Sequence, residues 1–322
     1  MRRRSLGLAA LLASARPAAA QDAPFPGRPI TLLVGFAPGG GTDILARLLG
    51  ARLTEELGQP VAIENRSGGG GTIAAAATAR ARPDGHVMGL GTVSNQVQAP
   101  LAMRTAPFDP LRDITPVTLV ATVPMVVTVP AAFPAQDLAG FVAHARANPG
   151  RLNFASNGVG TSQHLAAELF MLATGTRMVH VPYRGSGQVM MDLAAGVIDV
   201  NFDTLPSVLP HIRQGRLRGL AVTTARRSDR LPELPTVLES GVPDYDINVW
   251  YMLCGPAGLP EPVVRRWAAA LAGALAEPAL RARIQEAGFD VAGGTPAEAA
   301  ALVRADVARY GEVIRRADIR LE

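Results

Sequence analysis

The 322 residues contain no lysine, so all 31 basic residues are arginine. A Walker A loop requires its Lys, and Schiff-base or pyridoxal-phosphate chemistry requires a Lys amine, so these classes are excluded. A single cysteine, Cys254, excludes an intrachain disulfide and a cysteine-based metal cluster. Aromatic residues are 5%, too few to line a stacking surface for single-stranded nucleic acid. After the first twenty residues no run of 18 apolar residues occurs, so a soluble chain is expected. No H-E-x-x-H or other metal spacing and no G-x-S-x-G elbow is present, and neither metal nor cofactor is expected.

The formal charge of +4 misleads. Residues 1–20 hold a basic start, an apolar run from Leu6 to Ala13 and Ala18-Ala19-Ala20 before Gln21. This is the pattern of a secretory signal peptide cut after Ala20, too short for a membrane span of about 20 apolar residues. Arg3-Arg4 leaves twin-arginine export open beside the general route. Four arginines and no acid lie in that segment; taking four from 31 leaves 27 basic residues against 27 acidic ones. With no net charge, the exported chain has no electrostatic claim on nucleic acid.

What is present is 48% hydrophobic residues, enough for a core, in a repeating order of strand, loop and helix. Pro29–Phe36, Val61–Glu64 and Val87–Val93 read as buried parallel strands. Between them lie helices with Ile44, Leu48, Leu49, Leu53 and Leu57 on one face, and Thr72–Arg82. Ile114–Pro130 is β-branched, punctuated by Pro116, Pro124 and Pro130, and reads as a crossing into a second domain. There the pattern restarts, with helices over 137–148 and 162–173 and strands near 152–155, 178–181, 198–202 and 220–224. Asn248–Cys254 reads as the return crossing, followed by helices over 262–276, 279–287 and 296–317. The expected fold is α/β, two-lobed. Residues 21–121 with 249–322 form one domain and 122–248 the other, so that strand ends face each other across a cleft.

Gly39-Gly40-Gly41-Thr42-Asp43 lies between a strand and a helix, where unpaired helix N–H groups favour an anion. Thr42 or Asp43 is the expected N-cap. Three more Gly/Ser/Asn-rich loops follow predicted strands, at 65–72, 156–162 and 183–187. Together they offer neutral donors suited to a small carboxylate. His86 follows a turn and is expected exposed. His164 braces the 156–162 loop or touches ligand. Cys254 reads as a buried, inert thiol. Asp203 ends a strand, where a carboxylate binds an ammonium group, orients water or caps a helix over 204–213. Arg184 is a carboxylate clamp or a surface residue.

The sequence resembles the Bug-type solute receptors of tripartite tricarboxylate transporters. The resemblance rests on FAPGGGTD (Phe36–Asp43), ENRSGGGG (Glu64–Gly71), PDG (Pro83–Gly85) and GVGTSQHL (Gly158–Leu165). It continues through YRG (Tyr183–Gly185), GRLRGLAVT (Gly215–Thr223), PTVLESG (Pro235–Gly241) and GPAGLP (Gly255–Pro260). It implies a type II periplasmic binding fold and a periplasmic, non-enzymatic, monomeric receptor. The implied ligand is a mono- or dicarboxylate or an amino acid, delivered to membrane permease subunits. A sensor-kinase partner, or an exported enzyme using Asp203 with His164, remain as alternatives. Carried over, Phe36, Gly40, Thr42, Asp43, Gly71 and Ser94 line the ligand site from one domain. Asn157, Gly160, Thr161, Ser162, Tyr183, Arg184 and Asp203 line it from the other. Two departures stand out. Gly35 replaces a usual Pro and is expected to loosen its loop. Met252 and Cys254 replace smaller residues and are expected to reshape the cleft floor.

Overall fold

In a computed structural model describing residues 25–316, the first apolar run folds as β1 (Ile30–Val34). The expected leader, residues 1–20, lies outside the described residues. α1 (Gly41–Leu57), β2 (Val61–Asn65), α2 (Thr72–Ala79) and β3 (Val87–Thr92) follow, and β1 pairs in parallel with both β2 and β3. α1 buries Leu45, Leu49, Leu53 and Leu57, each contributing about 1.5–3 kcal/mol. The core-facing stripe therefore runs through Leu45 rather than the expected Ile44 and Leu48, which are half-buried at the core's margin. Gly58 ends the helix in the left-handed conformation, φ 69°, its N–H donating to Thr54 O.

A wide π-type turn, Ser94–Gln98, runs into α3 (Ala99–Ala102). Then β4 (Ile114–Pro130) runs 17 residues without interruption. α4 (Leu138–Ala147) is capped by Asp137, which accepts from Gly140 N–H at 2.7 Å. The rest follows as β5 (Asn153–Ser156), α5 (Ser162–Thr174), β6 (Val179–Pro182), α6 (Ser186–Ala194), β7 (Val200–Thr204), α7 (Leu205–Arg213) and β8 (Leu217–Val222). The chain finishes with β9 (Asn248–Pro256), α8 (Glu261–Ala276), α9 (Pro278–Glu286), β10 (Asp290–Val291) and α10 (Pro296–Arg316).

β4 belongs to both lobes. From Ile114 to Pro124 it pairs antiparallel with β9, and β10 pairs on its other side at Ala121 and Thr122. From Met125 onward its neighbours are β7 and β8. The prolines fall where the ladder changes. Pro116 sits at a register shift and Pro124 is the last residue paired to β9. A residue without an N–H is tolerated at such points. The first lobe carries β2-β1-β3-β9-β4, and the second carries β4-β7-β5-β6 with β8 on β4's far side. Trp267 on α8 fills the first core, its Nε1–H donating to Gly85 O at 3.0 Å. His86 is not exposed as expected. Its ring packs edge-on against Phe25 at 5.1 Å and is 9% exposed, because the N-terminal segment covers the turn.

Candidate functional site

The loop after β1 turns at Gly39, φ 88°, a conformation glycine adopts without strain. α1 starts at Gly41 with Gly40 as N-cap and no side-chain cap, so neither Thr42 nor Asp43 plays that role. Asp43 faces inward instead. It accepts from Gly39 N–H at 3.1 Å, Arg47 Nε at 3.0 Å and Asn65 Nδ2 at 2.9 Å, while Asn65 Nδ2 also donates to Phe36 O. Burial opposes its ionisation, but hydrogen bonds from Arg47, Gly39 and Asn65 outweigh it and hold the pKa below the ordinary value. Asp43 thus braces the loop, and the first N–H of α1, at Gly41, is left to reach Ser207 Oγ of the other lobe. Gly35 is tightly held, because a Cβ there would stand 2.7 Å from Asn95 Nδ2 and 2.9 Å from Gly71 O.

In the second lobe, the 156–162 loop is pinned from beneath. Thr161 Oγ1 donates to Gly158 O at 2.7 Å, and Gly160 N–H donates to His164 Nδ1 at 3.1 Å. His164 stacks on His180 at 4.1 Å, and His180 Nε2 meets Ser156 Oγ at 2.6 Å. Burial, with His164 beside it, pushes His180 down to about 3, so it stays neutral at physiological pH. His164 is a brace.

The two lobes touch through the residues expected to bind ligand. Ser162 N–H donates to Ser94 Oγ at 2.9 Å, and the two hydroxyls lie 2.8 Å apart. Ser162 Oγ donates to Gln98 Oε1 at 2.6 Å, so Ser94 supplies the proton between the two serines. Ala37 N–H donates to Arg184 O at 3.2 Å, and Gly41 N–H to Ser207 Oγ at 3.2 Å. Gly70 approaches Gly158 closely enough that a Cβ on Gly158 would stand 3.1 Å from Gly70 Cα. Asn157 Nδ2 donates to Ser186 Oγ at 2.9 Å, and Ser186 neighbours Gly40. The starts of α1, α2, α5, α6 and α7 therefore converge, presenting partial positive charge and short hydroxyls to one space.

Phe36, Gly40, Thr42, Gly71, Ser94, Asn157, Gly160, Thr161, Ser162 and Asp203 are all buried at or near this contact between the lobes. Tyr183 and Arg184 are turned elsewhere. The Tyr183 hydroxyl donates to Asp192 at 2.7 Å, and burial with that bond pushes it up to about 12. The Arg184 side chain is exposed and only its carbonyl reaches the other lobe. Both line an open groove of about 470 Å³ at the mouth, opposite Gly68–Gly70. Asp203 is fully buried and accepts from Thr204 N–H at 2.7 Å, Thr204 Oγ1 at 3.3 Å, Asn201 Nδ2 at 3.2 Å and Gln163 Nε2 at 3.4 Å. Burial raises its pKa, against the pull of bonds from Ser186, Thr204, Gln163 and Asn201.

Sequence reasoning missed Ser186, Thr204, Ser207 and Tyr251. Thr204 is the N-cap of α7, Ser207 lies in its first turn and Ser186 opens α6, a small-hydroxyl signal at helix starts available in the pattern. The cleft floor is formed by Tyr251, where a Cβ on Gly41 would stand 2.5 Å from its hydroxyl. Met252 and Cys254 alternate to the other side of β9, into apolar packing. The Cys254 thiol donates to Gly89 O, and burial pushes it up to about 12, which suits the inert reading. Among the described residues no group of three or more His, Cys, Asp or Glu side chains is placed to hold a metal ion. None of the described helices is long and apolar enough to cross a membrane.

Residues 45–319 match the family described as "Tripartite tricarboxylate transporter family receptor". The chain is 34% identical to protein BugT of Bordetella pertussis over 299 residues, 92% of each chain. It superposes on Rpa4515 of R. palustris, a structure with adipate, with TM-score 0.89 and 38% identity over 92% of this chain and 99% of that one. MatC of Rhodopseudomonas palustris, with bound malate, superposes with TM-score 0.87 and 32% identity over 90% of this chain and 100% of that one.

Proposed function

Since the chain belongs to the tripartite tricarboxylate transporter receptor family, we propose that it is an exported receptor for a small organic carboxylate. Residues 1–20 are removed after Ala20. The lobes, residues 21–121 with 249–322 and residues 122–248, close on the ligand and present it to membrane permease subunits. The observation carrying this reading is the convergence of helix starts and of Ser94 and Ser162 from opposite lobes. When the lobes part, these N–H and O–H donors lose one another as partners, and a carboxylate entering between them takes several of them at once. Ligand contacts to both lobes exist only in the closed arrangement, so binding favours closure. The adipate and malate carried by two structural neighbours support this ligand class. The role is binding without turnover. His164 accepts from Gly160 and its Nε2 lies 3.4 Å from Glu168, so it is not paired with Asp203 as an acid/base reading requires.

A thermal-shift screen of ligand-free protein against small carboxylates and amino acids tests the reading. At 100-fold excess over Kd a ligand adds about 2.7 kcal/mol of stability, expected as a rise of several degrees in Tm. A broad screen that moves Tm for no carboxylate contradicts the proposal.

A further inference from the structure

Asp203 is the next-to-last residue of β7, near the starts of α5, α6 and α7, and it is 0% exposed. Its hydrogen-bond partners are Ser186, Thr204, Gln163 and Asn201, none of which is a cation. Two of these partners are side-chain amides, and their bonds to the carboxyl group fix their orientation. Gln163 turns its Nε2 and Asn201 its Nδ2 toward Asp203, so each planar amide turns its oxygen away. Both oxygens, Gln163 Oε1 and Asn201 Oδ1, are buried and have no hydrogen-bond partner. Folded proteins pair nearly all buried acceptors, so these two oxygens call for a donor, supplied by water or by a ligand. The cluster also abuts the other lobe. Ser186 faces Gly40, and Thr204 Oγ1 would lie 2.9 Å from a Cβ on Gly41. It therefore sits beside the start of α1, where the carboxylate of the proposed ligand is held.

The chemistry here is one-sided. Asp203 and two amide oxygens accept hydrogen bonds, and no positive side chain balances them. An ammonium group on the ligand supplies both donors and counter-charge. A second carboxylate in the same place would meet like charge and lone pairs. We propose that Asp203, Gln163 and Asn201 form a donor-reading subsite that selects a small amino acid over the carboxylic acid of the same skeleton. This rests on the receptor reading above. Gln163 and Asn201 meet the ligand nitrogen, and Asp203 holds both amides in the accepting orientation.

Calorimetric titration of ligand-free protein with matched pairs tests the subsite: aspartate and succinate, 2-aminoadipate and adipate, alanine and propionate. The amino member of a binding pair is expected to bind at least about tenfold more tightly, a difference of about 1.4 kcal/mol. Asp203→Asn frees the amides to flip and is expected to bring the pair within a few-fold of each other. Gln163→Met keeps the carboxyl group and is expected to narrow the same ratio, which preserves the test should Asp203→Asn not fold. Acids that bind as tightly as their amino partners overturn the subsite and leave the receptor reading intact. Absence of binding by every member of every pair overturns both.

Discussion

Gly185→Val is expected to weaken ligand binding by about 100-fold or more while moving the Tm of the ligand-free protein by no more than a few degrees. A Cβ at this position would stand 2.9 Å from both the backbone nitrogen and the Cβ of Ala37, and 3.2 Å from its Cα. These atoms belong to the opposite lobe and to backbone already held by the Ala37 N–H bond to Arg184 O. No flexible side chain is available to give way, so the added group holds the lobes apart. Gly185 has an extended backbone, φ 165°, which valine adopts readily, so the open form is not strained. The affected quantity is the fraction of molecules able to close, and apparent affinity falls in proportion to it. A hundredfold loss corresponds to about 2.7 kcal/mol. Titration calorimetry and a melting curve read the two effects separately. Wild-type affinity would mean that residues 37 and 185 do not meet in the ligand-bound state.

Asp43→Ala is expected to cost about 2–4 kcal/mol of stability. The carboxylate is 4% exposed, and its removal strands the Gly39 N–H and weakens the hold on Asn65. Hydrogen bonds to a charged group contribute about 1.5–3 kcal/mol each. The Arg47 side chain is 55% exposed, so its ion pair adds little. In a chain of this size the loss should appear as a fall in Tm of roughly 5 °C or more. Its pH dependence follows from the lowered pKa. The unfolded carboxyl titrates near ~3.9, so the contribution is fully present above that value. It is lost as pH falls through the lower folded-state pKa. Melting curves should therefore show wild type and Asp43→Asn converging below about pH 4. A gap that stays constant from neutral pH to below that range contradicts the assignment.

Local signals carried much of this architecture. β-branched content and proline punctuation identified Ile114–Pro130, and the observed strand has those same ends. The glycine loops were legible because positive φ and close approach leave few other residues suitable, as at Gly39 and Gly158. Side-chain direction was less accessible. Asp43, Tyr183 and Arg184 lie at loops where the lobes meet, yet Asn65, Asp192 and solvent decide where they point. These partners lie elsewhere in sequence or outside the chain. Likewise, strand alternation predicts two faces for β9 without saying which one meets the cleft, so Met252 and Cys254 drew attention that belonged to Tyr251. The Ser94–Gln98 turn carries no apolar periodicity. It is set by Asn95 accepting from Thr92 N–H and by Gln98 accepting from Ser162 of the opposite lobe.

Ligand-driven closure is the central claim, and small-angle X-ray scattering with and without a stabilising carboxylate tests it most directly. The account predicts that ligand lowers the radius of gyration and brings the scattering into agreement with the arrangement in which Ser94 meets Ser162 and Ala37 meets Arg184. Identical scattering from the ligand-free and ligand-saturated protein would contradict it.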